Sequence, residues 1–408
     1  MIISIAVTEL QTGMYLHKLD VFWLKHPLVH NEMLLCNVVH IKAIQESGVR
    51  EVWIDLSRGR APDVKICPEL PLLQAVTEAA DVYISPQAVA QDGVVTMQSE
   101  MAQAQKICLA AKGPVMHMFN NARMGKTFNS ESTVPLVNDI AGSLNRHPAA
   151  ILSVVRLKSH DDYTYLHSVA VCALMLSLAA QLGLDEEQTK RAGMAGLLHD
   201  VGKAAIPLTI LNKPGKLTDE EFEIMKHHPV AGAEILRLSG ANEDLQDVAL
   251  HHHEKVNGSG YPDGLRASGI SLLARMAAIC DVYDAVTSDR PYKAGWNPAS
   301  AMNQMANWDG HFDRKLLYAF VKAVGIYPVG SLVRLSSGRL GVVTEPGETS
   351  LLQPKICVFF SLNSGKRLTP HTIDLASLHC EDNIVGPEEA NRWPGIDVNS
   401  LWQQPVSA

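Results

Sequence analysis

The middle of this 408-residue chain sets a histidine or an aspartate on each of five successive stretches of helical spacing, in surroundings that are otherwise apolar. His167 opens the first. His199 and Asp200 close the second, at the end of Ala-Gly-Leu-Leu-His-Asp. Thr218 and Glu221 form a capping box for the third, which carries His227 and His228 ahead of Pro229. The fourth ends in His251-His252-His253-Glu254, and the fifth, from about Ser271, carries Asp281 and Asp284 one turn apart on one face. Buried histidine and aspartate are costly unless paired or metal-bound, so five such helices point to a fold that gathers them. Adjacent residues on a helix point roughly 100° apart, so His199 and Asp200 grip one ion from two directions only near a helix end. Gly202 fits such an end.

Nitrogen and carboxylate ligands without thiolate suit Fe, Mn or Zn, and two ions can share a bridging carboxylate, a role open to an aspartate beside a histidine. Residues 257–264, Asn-Gly-Ser-Gly-Tyr-Pro-Asp-Gly, form a loop between two ligand-bearing helices, and its glycines would let backbone approach a ligand closely. Lys203, Arg290 and Lys293 can put positive charge where phosphate oxygens lie.

Composition narrows the partners. A net charge of −8 leaves no basic stripe for duplex nucleic acid, while a small anionic ligand can still be held by a few focused cations. The seven cysteines are scattered, odd in number and without a Cys-x-x-Cys, as expected of reduced thiols in a cytoplasm. The longest apolar stretch, 169–184, is interrupted by Ser177 and Gln181 and reads as a buried helix, with no signal peptide or membrane span expected.

The rest of the chain is organised around that middle. Residues 2–7 and 49–56 read as strands with a helix over 37–46 between them, giving a small α/β domain over 1–66. Residues 67–130 read as a helical connector, with helices near 73–82 and 96–119. The all-helical domain occupies 131–325, broken at Pro148. Short β-branched runs at 331–335, 340–344 and 356–362, separated by glycine turns, predict a small β-barrel-like appendage over 326–385, followed by a weakly ordered tail over 386–408. His17, His26, His30 and His40 lack acidic partners at ligand spacing and are read as surface or core residues.

Over 163–313 these pieces together resemble the HD-GYP domain, the branch of the HD superfamily associated with hydrolysis of cyclic di-GMP in bacteria. The matching pieces are Tyr-Thr-Tyr-Leu-His-Ser, Leu-Leu-His-Asp-Val-Gly-Lys, Leu-Asn-Lys-Pro-Gly-Lys-Leu-Thr, His-His-Pro-Val-Ala-Gly, His-His-Glu with Gly-Ser-Gly-Tyr-Pro, and Ala-Arg-Met-Ala-Ala-Ile-Cys-Asp-Val-Tyr-Asp-Ala, with Arg290-Pro-Tyr-Lys293 completing the set. The N-terminal section is similar to the small domain of unknown role that precedes some members.

The resemblance implies that His167, His199, Asp200 and Asp281 hold one metal and His228, His252 and His253 another, with Asp200 bridging and His227 and His251 as neighbours without a ligand role. It implies that Lys203 touches a non-bridging phosphate oxygen, Arg290 and Lys293 hold phosphate, and Gly260, Tyr261 and Pro262 line the nucleotide cleft. Two ions are expected, Fe or Mn with Zn also compatible. Where three-metal members carry a glutamate one turn before the first histidine, this chain has Tyr163, a poor ligand at neutral pH, and Asp162 points about 100° away. Asn257 and Arg314 depart from the family pattern, and neither is a proposed metal ligand. The implied activity is a metal-dependent phosphodiesterase that cuts cyclic di-GMP to linear pGpG, or to GMP if a second cut follows. The alternatives are a catalytically weak cyclic di-GMP-binding scaffold and an HD phosphohydrolase for another nucleotide, with a homodimer or signalling partner open in each case.

Overall fold

The computed structural model describes residues 2–19, 32–35, 38–46, 48–56, 58–60, 95–157, 163–289, 295–347, 350–393 and 395–403. The chain divides into two compact units: Met1–Glu69 together with Tyr327–Ala408, and Leu70–Ile326. The helix expected near 73–82 lies outside the described residues, as do Asp162, Arg290 and Lys293.

The N-terminal part of the first unit is a four-stranded sheet of β1 (Ile2–Ala6), β2 (Tyr15–Leu19), β3 (Met33–Leu34) and β4 (Glu51–Asp55) in the order β1-β4-β2-β3, with antiparallel neighbours. Helix α1 (Val38–Glu46) lies between β3 and β4 in sequence. Ile3, Ile5, Leu16, Val52 and Ile54 of the strands and Ile41 and Ile44 of α1 are buried, the period-two and helical patterns expected of one shared core. β2 and β3 escape the sequence because Tyr15–Leu19 carries His17 and Lys18 and β3 is two residues long.

The second unit is all-helical among its described residues. It contains α2 (Met97–Arg123), α3 (Val134–Arg146), α4 (Pro148–Val154), α5 (Tyr163–Gln181), α6 (Glu186–Leu198), α7 (Asp219–Met225), α8 (His228–Leu238), α9 (Glu243–His251), α10 (Leu272–Thr287), α11 (Pro298–Asn307) and α12 (Arg314–Val324). The boundaries follow local chemistry. Asp185 with Gln188 and Thr218 with Glu221 make capping boxes, Ser271 accepts from the Ala274 N–H, and Pro148 and Pro229 sit in the first turns of α4 and α8, where no intrahelical N–H is needed.

Helix α5 is the core of this unit. Val169 to Met175 are all buried, and α6, α10, α12 and α2 pack around it. A helix apolar on every side must be enclosed, and each buried Val, Leu or Met contributes about 1.5–3 kcal/mol. Thr164–Gln181 is long and apolar enough to cross a membrane by composition, but 78% of it is buried inside the protein.

The C-terminal part of the first unit corrects the expected β-barrel-like appendage. β5 (Leu332–Leu335), β6 (Arg339–Glu345), β7 (Lys355–Ser361), β8 (Lys366–Asp374) and β9 (Ile384–Pro387) form an open antiparallel sheet ordered β8-β7-β6-β5-β9. It does not close, because β8 and β9 are edges. β8 is largely exposed and carries Lys366, Arg367 and Pro370, residues that blunt an edge against further pairing. Residues beyond 385, read from composition as a tail, include the end of β9 and two buried indoles, Trp393, 5.1 Å from the Phe360 ring, and Trp402. Arg392 lies 3.5 Å from Glu9, so the two ends of the chain meet within this unit.

One buried carboxylate ties the β5–β6 turn to the approach to β9. Asp382 accepts from the hydroxyls of Ser336 (2.7 Å) and Ser337 (2.6 Å), from the Ser337 N–H (3.0 Å) and from Arg339 (2.8 Å). Burial alone would push its pKa up, but the two serines and the guanidinium outweigh it and hold the carboxyl at about 2. A folded-state pKa below the unfolded value of about 3.9 gives stability that is complete above that value and lost as pH falls through about 2. The melting-temperature gap between the parent and Asp382→Asn is therefore expected to be constant above about pH 5 and to shrink between about pH 4 and pH 2. A gap that ignores pH would remove Asp382 from the acid response.

Candidate metal centre

Helix ends deliver the site. α6 stops at Leu198, His199 is its C-cap, and Asp200 starts the tight turn Val201–Ala205, so the chain changes direction between the two side chains. Gly202 serves packing here: a Cβ on it would stand 1.9 Å from the His228 carbonyl oxygen and 2.4 Å from the Gly232 nitrogen. Backbone contact between this turn and α8 brings Asp200 and His228 together. His227 and His228 lie at the junction of α7 and α8 and not on the preceding helix as expected; His227 is exposed and His228 buried. His252 and His253 follow the end of α9, while His167 and Asp281 project from within α5 and α10.

The seven side chains implied as ligands come together. His167, His199 and Asp281 form one group whose nearest donor atoms lie within 4.8 Å of one another, and His228, His252 and His253 form a second. Asp200 stands between them. Its Oδ2 is 3.3 Å from His167 Nε2 and 3.4 Å from His199 Nε2, while Oδ1 is 3.4 Å from His228 Nε2 and 3.8 Å from His252 Nε2. His167 Nε2 is 3.1 Å from Asp281 Oδ1, and His228 and His252 face each other through Nε2 at 3.3 Å.

The imidazoles are fixed from behind. Nδ1–H of His199 donates to Gly196 O (2.8 Å), that of His228 to Met225 O (2.8 Å), and that of His252 to Ala249 O (3.0 Å). His167 donates from Nδ1 to Asp284 Oδ2 at 2.7 Å. Each arrangement orients the ring and turns Nε2 toward the centre, the usual way a protein holds metal-binding histidine. Two buried atoms at the centre, His199 Nε2 and Asp200 Oδ1, have no hydrogen-bond partner among the described residues. Unsatisfied buried atoms are costly, and a cation coordinated by both removes the cost. These are buried His/Asp clusters of the kind that holds metal, and the residues fit it.

The charges of the two halves differ. Burial alone would lower the pKa of His167, but Asp200, Asp281 and Asp284 outweigh it and hold the imidazole well above its ordinary value. His199 is likewise raised, to about 9, by Asp200 and Asp281 against burial. Burial would raise both carboxyls, yet Lys203 and His199 hold Asp200, and His167 and His199 hold Asp281, well below the carboxylate range. In the other half burial dominates and lowers His228 to about 4 and His253 to about 3, with Lys203 adding to both effects. One half thus holds two carboxylates that require positive charge, and the other offers three neutral imidazoles.

Lys203, partly open to solvent, pairs its ammonium with Asp200 Oδ2. The Tyr261 ring stacks on His253 at 4.8 Å, and the Tyr261–Pro262 peptide is cis. The glycine loop approaches its own chain: a Cβ on Gly260 would lie 2.4 Å from both Glu254 Cα and Lys255 N. His251 is held by Asp247 (2.7 Å) and Asp263 (3.0 Å), outside both groups. Arg290 and Lys293, implied as phosphate contacts, lie outside the described residues.

Two residues escaped the sequence reading of roles. Asp284, seen only as sharing a face with Asp281, orients His167. Glu254 organises the Gly-Tyr-Pro loop: its buried carboxyl accepts from the N–H groups of Asp263 (2.7 Å), Gly264 (2.9 Å) and Leu265 (3.1 Å). Its signal was its place directly after His253. An amide in place of this carboxyl turns an NH2 toward an N–H, so Glu254→Gln should loosen the loop by about 2 kcal/mol. Metal content should be kept, and a fluorescence or proteolysis probe of residues 257–265 should report increased opening. Unchanged protection there would show the three hydrogen bonds to be dispensable.

The chain matches the HD domain family over residues 144–316 and a domain of unknown function (DUF3391) over residues 2–133. It is 48% identical over 404 residues to the cyclic di-GMP phosphodiesterase PA4108 of Pseudomonas aeruginosa, covering 98% of this chain and 96% of that one. It is also similar to the cyclic di-GMP phosphodiesterase response regulator RpfG of Xanthomonas campestris, 45% identical over 150 residues, 36% of this chain and 39% of that one. A 3'3'-cGAMP-specific phosphodiesterase 1 of Vibrio cholerae is 39% identical over 156 residues, 38% of this chain and 36% of that one. The chain belongs to the HD domain family, in the HD-GYP branch that its motifs resemble, with a DUF3391 domain ahead of the HD domain.

Proposed function

We propose that this protein is a metal-dependent phosphodiesterase that opens cyclic di-GMP to linear pGpG. The observation that carries this reading is the 48% identity over nearly its full length to a cyclic di-GMP phosphodiesterase. The two gathered triads with Asp200 between them supply the matching chemistry.

In this reading His167, His199, Asp200 and Asp281 would hold one divalent ion, and His228, His252 and His253 would hold a second that shares Asp200. Iron or manganese suits these nitrogen and oxygen donors, and zinc is compatible. When bound, a metal pair lowers the pKa of a water and neutralises charge on phosphate oxygens. The chain's own residues do the rest. Lys203 presents its ammonium to a non-bridging oxygen of the scissile phosphate, where charge builds up as the P–O bond breaks. Tyr261, stacked on His253, closes one side of the centre, with Glu254 holding its loop in place. Asp284 holds His167 at Nδ1, which turns Nε2 toward Asp200 and Asp281.

A related nucleotide is the second reading, favoured by the Vibrio cholerae relative named for 3'3'-cGAMP. Anaerobically purified protein loaded with iron or manganese, assayed against cyclic di-GMP and 3'3'-cGAMP with chromatographic identification of products, separates the two. Faster turnover of 3'3'-cGAMP would overturn the proposed substrate, and binding of cyclic di-GMP without turnover would favour a scaffold.

Asp200→Ala is expected to abolish turnover and to lower metal content from about two ions per chain, because two cations would face each other without the shared carboxylate. Elemental analysis alongside the assay checks both. Full metal loading with retained activity in this variant, or three ions in the parent despite Tyr163 preceding His167 by one turn, would refute the arrangement.

A further inference from the structure

Helix α2 belongs by sequence match to the domain of unknown function, which extends to residue 133, yet it folds with the catalytic helices. It packs on α3, α4, α5 and the turn Val201–Ala205. The stripe Met101, Ala104, Ile107, Cys108, Ala111, Val115, Met118 and Ala122 is buried, which gives α2 an apolar seam along its whole length. Near its start Glu100, 2% exposed, accepts from Arg146 Nε (2.7 Å), Arg146 Nη2 (2.9 Å) and Ser143 Oγ (2.6 Å). A bidentate guanidinium–carboxylate pair with one member buried fixes the position of α2 on α3.

At its other end α2 meets the catalytic turn. Arg123 donates from Nη1 to Ile206 O (3.4 Å) and from Nη2 to Lys203 O (3.5 Å). The other side of this turn is pressed against α8 through Gly202 and Gly232. The segment carrying Lys203 is therefore held from two directions. Only the α8 side lies within the motif helices of the HD domain. We propose that α2 is a working part of the catalytic unit and that Arg123 is a positioning residue for Lys203.

A guanidinium is a rigid planar fork, so bonds to two carbonyls three residues apart set the spacing of the turn in a way that a single flexible donor cannot. The ammonium of Lys203 has to meet both Asp200 and a phosphate oxygen, and misplacement by about 1 Å can cost up to about 10²-fold in rate. The two Arg123 bonds are long and solvent-facing, so the expected effect is smaller than that.

This inference rests on the assignment of Lys203 to the substrate phosphate, and the test keeps the two apart. The full-length protein, loaded with manganese, is compared with Arg123→Ala, Arg123→Lys, Lys203→Ala and the double variant Arg123→Ala/Lys203→Ala. Cyclic di-GMP and bis(p-nitrophenyl) phosphate serve as substrates, and metal content and melting temperature are measured throughout. Arg123→Ala should lower kcat about 5–10-fold with KM and metal content unchanged, and Arg123→Lys should recover part of the loss. In the Lys203→Ala background the Arg123 change should add nothing, because the group it positions is gone. An unchanged kcat in Arg123→Ala, a loss of metal in step with activity, or an equal fold-loss in both backgrounds would overturn the proposal. A parent that cleaves bis(p-nitrophenyl) phosphate but not cyclic di-GMP would overturn the proposed substrate, while the cycle on the simple diester still reads the Arg123–Lys203 coupling.

Discussion

Two carboxylates buried beside histidines set the terms for the rest of the catalytic unit. Asp200 and Asp281 are nearly out of contact with water, and an uncompensated buried charge costs several kcal/mol. They are surrounded by imidazoles from separate helices: His167 from α5 and His199 from the end of α6 lie beside both carboxylates, and His228 from the start of α8 and His252 from the end of α9 lie beside Asp200. The helices have to converge for the carboxylates to be tolerated at all. Once they converge, the arrangement fits a cation.

The backbone gives that convergence its definition. Carbonyl oxygens at Gly196, Met225 and Ala249 take the outward-facing Nδ1–H groups, so the secondary structure that ends at each histidine also orients it. His167 sits inside α5, where the neighbouring carbonyls are engaged in the helix, and a side chain, Asp284, serves the same purpose. Glu254 plays a comparable part for the loop that carries Tyr261. The polar groups behind the centre thus form a continuous support, part backbone and part carboxylate.

The two compact units distribute these tasks unevenly. The unit built from both ends of the chain contains two antiparallel sheets and the ion pair between Arg392 and Glu9. The other contains every described residue of the metal centre together with α2, a helix that belongs by sequence match to the preceding domain. A family boundary and a folding boundary therefore fall at different places in this chain. The physical reason is the apolar seam of α2, which has to be covered and finds its partners on α3, α4 and α5.

Much of the catalytic domain is legible in the sequence. The capping box at Thr218, prolines at 148 and 229 and the apolar run through α5 mark helix boundaries because those are local effects of the backbone. The His and Asp positions were legible because buried polar residues recur where chance would put few. Other features depend on partners distant in sequence. That Asp284 serves His167, that Glu254 reaches three N–H groups about ten residues on, and that Gly202 permits contact with α8 follow only from tertiary packing. The C-terminal sheet stayed open because closure depends on whether the edges pair, and the exposed, charged β8 and the four-residue β9 do not. Sequence alone determined which residue types and local turns this protein has, since these rest on interactions a few residues long. The tertiary structure decided which side chains meet, because that depends on how apolar helix faces cover one another across the chain.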